Sequence, residues 1–150
     1  MSDFRRLTDD FWASPQISVE DVEEAAERGF SMVINNRPEG EAEDQPAGTA
    51  IEDTAAAAGL AYRAIPVTPG GFSEAQVEAT AMALEQAEGP VLAFCRSGTR
   101  STLLWSLTMA SLGTAPDTLT KAAAEAGYDL APIRPTLDML AERSTARDAD

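Results

Sequence analysis

Residues 91–101 decide how this chain folds, and they read Val-Leu-Ala-Phe-Cys-Arg-Ser-Gly-Thr-Arg-Ser. The apolar start predicts a buried strand, and the apolar stretch from Leu103 to Leu112 predicts a helix after the polar turn. A loop of small residues between a strand and a helix forms a cradle for an anion, because its backbone N–H groups point inward. Arg100 completes this cradle, and the same surroundings favour the thiolate form of Cys95, which is the nucleophilic form of a cysteine.

Strands and helices are predicted to alternate on either side of this segment. Short apolar runs predict strands over 11–14, 31–35, 60–67 and 91–94. Helices are predicted over 19–28, 50–58, 73–87, up to Leu112, 116–126 and 135–143. Capping boxes begin the first and third helices, at Ser18 and Ser73. Pro66 marks either the end of the third strand or an edge position, and the polar tail from about 144 is predicted to fray.

This alternation predicts an α/β fold, with a central, mainly parallel sheet of about four to five strands and helices on both faces. We expect one domain over residues 1–150, because a chain of this length buries a single core. In parallel sheets, ligands bind at the carboxyl ends of the strands. The cysteine loop, the Asn35-Asn36-Arg37 loop and the Thr68-Pro69-Gly70-Gly71 loop all follow strand ends, so they are predicted to share one rim.

Two arginines at this rim each have two interpretations. Arg37 is a candidate substrate ligand, and the alternative is that it anchors its loop through a salt bridge. Arg100 either faces the bound anion or pairs with a carboxylate of this acidic chain. Asn35 and Asn36 are predicted to hold the backbone through side-chain hydrogen bonds.

The composition excludes several classes of function. The sequence has no histidine and a single cysteine, which removes Ser-His-Asp triads, Cys-His dyads, zinc sites and an internal disulfide. Neither a metal site nor a cofactor is therefore predicted. With 11 basic and 25 acidic residues the net charge is −14, so binding to nucleic acid or to a membrane surface is not expected. The absence of an apolar leader and of disulfides favours a cytoplasmic location.

Four motifs together resemble a known bacterial family. In chain order they are Phe-Trp-Ala-Ser-Pro-Gln (11–16), Val-Ile-Asn-Asn-Arg-Pro-Glu (33–39), Ile-Pro-Val-Thr-Pro-Gly-Gly (65–71) and Phe-Cys-Arg-Ser-Gly-Thr-Arg-Ser (94–101). The chain resembles, over roughly residues 7–130, the phosphatase-like domain of the β-lactamase-hydrolase-like proteins, which is also described as a sulfur-transferase-like family. The resemblance implies a dual-specificity-phosphatase-like fold.

The resemblance also implies roles for individual residues. Cys95 becomes the nucleophile, and Arg100 becomes the ligand that binds a tetrahedral anion through two parallel N–H groups. The backbone amides from Arg96 to Ser101 would line the cradle, and the Ser101 hydroxyl would hydrogen-bond the thiolate or the leaving thiol. The implied substrate-binding residues are thus Arg96, Ser97, Gly98, Thr99 and Ser101, with Arg37 added from the neighbouring loop.

Two departures from the phosphatase pattern favour sulfur chemistry. Phosphatases of this fold have a histidine before the cysteine and five residues between cysteine and arginine, whereas Phe94 precedes Cys95 and four residues separate Cys95 from Arg100. The shorter loop resembles the rhodanese-type pattern Cys-Arg-x-Gly-x-Arg and suits the outer sulfur of thiosulfate. The phosphatase pattern also places an aspartate after the third strand, where residues 68–71 have no carboxylate, so an alkoxide leaving group would lack a proton donor.

The sequence therefore favours a sulfurtransferase. Cys95 would take a sulfane sulfur from thiosulfate or a persulfide, hold it as a persulfide and pass it to a thiol acceptor. The alternative is a phosphatase-type hydrolase that acts on a phosphoester through a phosphocysteine intermediate. A third interpretation, a non-catalytic sensor of anions or persulfides, uses the same cysteine.

Overall fold

The computed structural model describes residues 2–68 and 70–149, which form a five-stranded sheet with helices on both faces. The strands are β1 (Arg5–Arg6), β2 (Phe11–Ser14), β3 (Met32–Asn35), β4 (Ala61–Ala64) and β5 (Val91–Phe94). They lie in the order β1-β2-β5-β3-β4, in which β1 runs antiparallel to β2 and the other neighbours are parallel. The predicted α/β fold is confirmed, and β5 lies at the centre of the sheet.

Six helices connect and cover the strands in the part of the chain described. They are α1 (Val19–Glu27), α2 (Gly48–Ala57), α3 (Glu74–Gln86), α4 (Thr99–Ser111), α5 (Pro116–Glu125) and α6 (Arg134–Ala149), with a 3₁₀ turn over Ala131–Ile133. The capping boxes predicted at Ser18 and Ser73 both form. Within residues 2–68 and 70–149, none of these helices has the length and apolar character needed to cross a membrane.

The alternating side chains of β5 contribute to two separate cores. Leu92 and Phe94 belong to the core that α1 and α2 complete. Val91 and Ala93 belong to the larger core, which includes residues of α3, α4, α5 and α6. Successive side chains of a strand point to opposite faces, so a strand covered on both faces is apolar throughout. Helix α4 packs against α3, α5 and α6, and this packing fixes the helix that follows the cysteine loop.

Strand β4 is shorter than the predicted 60–67 because it ends at Ala64. Pro66 has no N–H group and so cannot continue the hydrogen bonding between β4 and β3. The N–H groups of its two neighbours instead bond to the end of β3 and to the loop after β3. Ile65 N–H donates to Asn35 O at 2.9 Å, and Val67 N–H donates to Asn36 O at 2.9 Å. Both positions predicted for Pro66 hold, since it follows the end of a strand that lies at the sheet edge.

The prediction of a frayed tail from about 144 was wrong over the described residues, because α6 continues to Ala149. Ser144 is only 4% exposed. Its hydroxyl lies close to Gly113, since a β-carbon added to Gly113 would be 3.2 Å from Ser144 Oγ. Asp150 lies outside the described residues. Strand β1 and the 3₁₀ turn were not predicted, because segments of two or three residues give no hydrophobic period.

The packing of α6 gives a prediction about stability. Leu137 is fully buried, and we expect Leu137→Ala to lower the free energy of unfolding by about 2–4 kcal/mol through lost burial and a new cavity. Met139→Ala is the control on the same helix, because the Met139 side chain is 42% exposed and its removal should change the value little. Urea unfolding followed by circular dichroism measures both. Equal losses in the two variants would contradict this assignment of the core.

Candidate active site

The cysteine loop lies where it was predicted, between the end of β5 and the start of α4. Cys95 is the first residue after β5 and has no solvent-exposed surface. Its N–H donates to Ser14 O at 3.4 Å, and the Gln16 N–H donates to Arg96 O at 3.2 Å. Because these bonds join the loop to the last residue of β2 and to the segment that follows it, the neighbouring strand holds the start of the loop in place.

The Cys95 sulfur accepts a backbone hydrogen bond from its own loop. Gly98 N–H donates to Cys95 Sγ at 3.1 Å. The turn requires Gly98 to adopt φ +93°, a left-handed conformation that is open to glycine and strained for other residues. A β-carbon at Gly98 would also collide with the Tyr128 hydroxyl. The loop is therefore built to direct an N–H group at the sulfur.

The N-terminus of α4 adds further donors to the cradle. The N–H groups of the first turn, Thr99 to Ser101, have no carbonyl partner within the helix. Ser97 Oγ accepts the Thr99 N–H at 3.3 Å, and no capping side chain at Gly98 closes the helix end. The partial positive charge of this helix end and its unused N–H groups favour an anion.

Arg100 lies in this first turn and pairs with Glu41 from the loop after β3. Its Nη1 donates to Glu41 Oε2 at 2.8 Å, and its Nη2 donates to Glu41 Oε1 at 2.7 Å. Nη1 also donates to Val67 O at 2.8 Å. The hydrogen bonds that Arg100 donates to Glu41 raise the pKa of Arg100, and the nearby Cys95 acts in the same direction. Arg100 thus has the carboxylate partner that was one of its two predicted interpretations.

Glu41 accepts hydrogen bonds from two arginines. Besides Arg100, Arg37 donates from Nε to Glu41 Oε1 at 3.0 Å. The hydrogen bond from Arg100, together with the one from Arg37, lowers the pKa of Glu41 to about 2. Arg37 is buried and also donates to Gln16 Oε1 at 3.0 Å. The structure therefore gives Arg37 the salt bridge that was the alternative to substrate contact.

Sequence reasoning missed Glu41. The chain that continues from the predicted Asn35-Asn36-Arg37 loop carries several acidic residues, which are Glu39, Glu41, Glu43 and Asp44. Their position near the rim could therefore have indicated a carboxylate partner for Arg100. Only the path of the loop selects Glu41, since Glu39 accepts the Gly48 N–H instead.

The remaining predicted residues lie at different depths in the loop. Arg96, Ser97 and Thr99 are exposed, and Ser97 Oγ donates to Thr99 Oγ1 at 2.9 Å. Ser101 is buried, and within the described residues its Oγ is a buried side-chain oxygen without a hydrogen-bond partner. An unpaired buried hydroxyl costs about 1–3 kcal/mol, and a ligand or the thiolate could supply its missing partner.

The other two loops of the rim have different functions in the structure. Asn35 Oδ1 accepts the Arg37 N–H at 2.9 Å, and Asn36 Nδ2 donates to Ile65 O at 2.8 Å, which confirms that both side chains hold the backbone. In the loop after β4, Pro69 lies outside the described residues. Glu74, the first carboxylate after that loop, is exposed and lines a groove that also includes residues of α4 and α6.

The fold and site define the class of protein. A buried cysteine after the central strand of a parallel sheet, followed by an arginine in the first turn of the next helix, is the arrangement of the Cys-based phosphatase-like α/β proteins. The chain belongs to the family described as Beta-lactamase hydrolase-like protein, phosphatase-like domain, whose model matches residues 3–112. The resemblance stated from the four motifs is confirmed.

Individual relatives agree with this assignment. A Beta-lactamase hydrolase-like protein of Xylella fastidiosa (strain Temecula1) is 43% identical over 82 residues, which are 55% of this chain and 19% of that protein. The chain thus matches only a small part of that longer relative. A solved "putative phosphatase" from Neisseria meningitidis Z2491 is 35% identical with a TM-score of 0.82, covering 93% of this chain and 99% of that chain.

A more distant solved structure shares the fold. TpbA of P. aeruginosa, solved as a Cys-to-Ser variant in complex with pTyr, is 15% identical with a TM-score of 0.64. That alignment covers 95% of this chain and 90% of the TpbA chain. The dual-specificity-phosphatase-like architecture predicted from the motifs is therefore confirmed.

The paired arginines predict how stability depends on pH. We expect Glu41→Gln to lower the free energy of unfolding by about 1–3 kcal/mol at neutral pH, because charged hydrogen bonds to Arg37 and Arg100 are lost. Since the pKa of Glu41 falls from 4.5 to about 2 on folding, this difference should be complete above pH 4.5 and disappear as the pH falls toward 2. Urea unfolding at several pH values tests this, with Glu43→Gln as the control from the same loop. A difference that persists unchanged at low pH would exclude the ionised pair as its cause.

Proposed function

We propose that this chain is a phosphatase-type hydrolase in which Cys95 attacks a phosphomonoester and forms a phosphocysteine intermediate. The observation that carries the proposal is the donor set around the sulfur: the Gly98 N–H at 3.1 Å, the open N-terminus of α4 and the Arg100 guanidinium. The match to a phosphatase-like family over residues 3–112 supports the same chemistry. A small phosphoester is the proposed substrate, and the cytoplasm remains the predicted location.

The attack transfers a phosphoryl group from the ester oxygen to sulfur. The Cys95 thiolate forms a bond to phosphorus while the bond from phosphorus to the leaving oxygen breaks. Glu41 and Val67 O occupy N–H groups of the Arg100 Nη atoms, which leaves the Nε edge to bind oxygens of the phosphoryl group. Cys95 has no exposed surface, so the cradle has to open before the phosphoryl group can reach the sulfur.

The second step restores the cysteine. A water molecule attacks phosphorus, the bond from phosphorus to sulfur breaks, and phosphate and the Cys95 thiolate are released. We propose that Ser101 donates a hydrogen bond to the departing sulfur, because its buried Oγ has no other partner among the described residues. Arg37 acts through Glu41, while Arg96, Ser97 and Thr99 are exposed at the loop surface and are proposed to contact the substrate.

The leaving group receives no proton from Glu41. A carboxyl group with a pKa of about 2 is ionised near neutral pH, and Glu41 is held by two arginines. An alkoxide leaving group therefore departs without general acid catalysis, which costs about 10²–10⁴-fold in rate. A phenolate leaves without such help, so aryl phosphates are the preferred test substrates.

Sulfur transfer was the interpretation that the four-residue spacing favoured, and the comparisons give it no support. A direct measurement separates the two chemistries. Mass spectrometry after incubation with thiosulfate reports a persulfide, whereas incubation with an aryl phosphate and rapid quenching reports phosphocysteine. Stable phosphorylation without turnover would instead favour a sensor.

We expect the protein to hydrolyse an aryl phosphate and Cys95→Ser to abolish this activity, because the serine hydroxyl is a much weaker nucleophile than a thiolate. An alkyl phosphate should be hydrolysed about 10²–10⁴-fold more slowly, since no carboxylic acid assists its departure. Release of the phenol measures the first substrate and release of phosphate measures the second. Turnover that survives in Cys95→Ser, or gain of a sulfur atom without any phosphatase activity, would refute the proposal.

We expect Ser101→Ala to slow hydrolysis of phosphocysteine by about tenfold, the effect of one hydrogen bond. The slower second step should produce a burst of phenol and allow the phosphorylated protein to accumulate. Ser106→Ala is the matched control, because Ser106 is also buried on α4 but bonds to Thr102 O. Rapid quenching and mass spectrometry measure the intermediate. Accumulation in both variants, or in neither, would argue against the role of Ser101.

A further inference from the structure

One peptide group of the cradle is hydrogen-bonded on both sides. The Ser97 carbonyl accepts a hydrogen bond from the Tyr128 hydroxyl at 3.1 Å. The Gly98 N–H of the same peptide group donates to Cys95 Sγ at 3.1 Å. In a trans peptide the C=O and N–H groups point in opposite directions. Tyr128 therefore lies on the outer side of the loop and Cys95 on the inner side, with a single peptide plane between them.

Tyr128 is held firmly in this position. It follows α5, and its backbone N–H donates to Ala123 O at 2.8 Å. The ring is largely buried, and the Arg5 guanidinium lies 5.0 Å from the ring centroid. Burial raises the pKa of Tyr128 above its ordinary value, so the hydroxyl stays protonated and remains a donor. Its position therefore depends on the N-terminal strand as well as on α5.

The contact between Tyr128 and the loop is tight. Gly98 packs against the Tyr128 hydroxyl so closely that a β-carbon at this position would overlap it. The left-handed φ of +93° at Gly98 sets the orientation of the peptide group before it. Were that peptide to flip, the Ser97 carbonyl oxygen would face the sulfur, and both hydrogen bonds would break. Glycine can adopt either orientation, so the hydrogen bond from the Tyr128 hydroxyl is what favours the observed one.

We propose that Tyr128 is a positioning residue for the nucleophile, whose hydroxyl fixes and polarises the Ser97–Gly98 peptide so that its N–H stabilises the Cys95 thiolate. A donor on the carbonyl strengthens the hydrogen bond that the N–H of the same peptide makes, because hydrogen bonds in a chain polarise one another. The proposal rests on the proposed function in taking Cys95 as the nucleophile. Tyr128 lies outside residues 3–112, so the family match does not assign it this role.

The test uses the rate at which iodoacetamide alkylates the protein as a function of pH. Cys95 is the only cysteine in the sequence, so mass spectrometry of the intact protein reports this thiol alone. Tyr128→Phe keeps the ring and removes the hydroxyl. We expect the midpoint of the alkylation profile to move upward by about half a pH unit or more, while the rates at high pH approach those of the wild type.

Thr54→Val is the matched control, because Thr54 also donates its hydroxyl to a backbone carbonyl, Ala50 O at 2.8 Å, and lies on α2. Its profile should equal that of the wild type. A Tyr128→Phe midpoint equal to the wild type, or an equal shift in both variants, would overturn the proposal. Thermal unfolding of each variant establishes that the proteins compared are folded. Alkylation needs no turnover. If the Tyr128→Phe midpoint shifts but the wild type hydrolyses no phosphoester, the proposed function is refuted and the role of Tyr128 in holding the loop at Cys95 stands.

Discussion

The loop between Cys95 and Arg100 directs the Gly98 N–H at the buried Cys95 sulfur, and its carbonyl groups find their partners on the outside. The rest of the structure provides them. The Arg96 carbonyl accepts from the Gln16 N–H, the Ser97 carbonyl from the Tyr128 hydroxyl, and the Gly98 carbonyl from the backbone and side chain of Thr102. These partners come from the segment after β2, from the segment after α5 and from α4. An anion cradle of this length is thus stable because distant parts of the chain bind its outer surface.

The second requirement is a fixed positive charge in a chain with a net charge of −14. A free guanidinium in such a chain would pair with many carboxylates and hold no single orientation. Glu41 removes this freedom by binding both Nη atoms of Arg100, while Arg37 beneath it holds the carboxylate in place. The two arginines and one glutamate leave one positive charge beside the sulfur. This charge favours an anion at the site of a chain that contains no histidine.

These charges also shape the chemistry. Glu41 orients Arg100 and is the carboxylate nearest to it among the described residues. The ion pairs through which Glu41 holds Arg100 also keep the Glu41 carboxyl group ionised. One side chain cannot hold the guanidinium as a carboxylate and protonate a leaving group at the same pH. Under the proposed function, the site therefore provides a nucleophile and donors for an anion but no acid from Glu41. Such a site would suit esters of acidic alcohols, and the missing acid was one of the two departures from the phosphatase pattern that pointed toward sulfur chemistry.

Local patterns in the sequence were sufficient for the four parallel strands, two helix caps and the candidate nucleophile. Apolar runs of four residues, the capping serines Ser18 and Ser73, and the Cys95 loop each depend on neighbours within a few positions. Glu41 and Tyr128 could not be found this way, because they lie 59 and 31 positions from the residues they contact, Arg100 and Ser97. The α6 tail looked frayed for the same reason, since Ser144 is buried against a distant glycine. The sequence by itself determined which atom is the candidate nucleophile and which loop surrounds it. Only the tertiary structure decided how that loop is oriented and charged, because those properties come from hydrogen bonds and ion pairs between segments far apart in the chain.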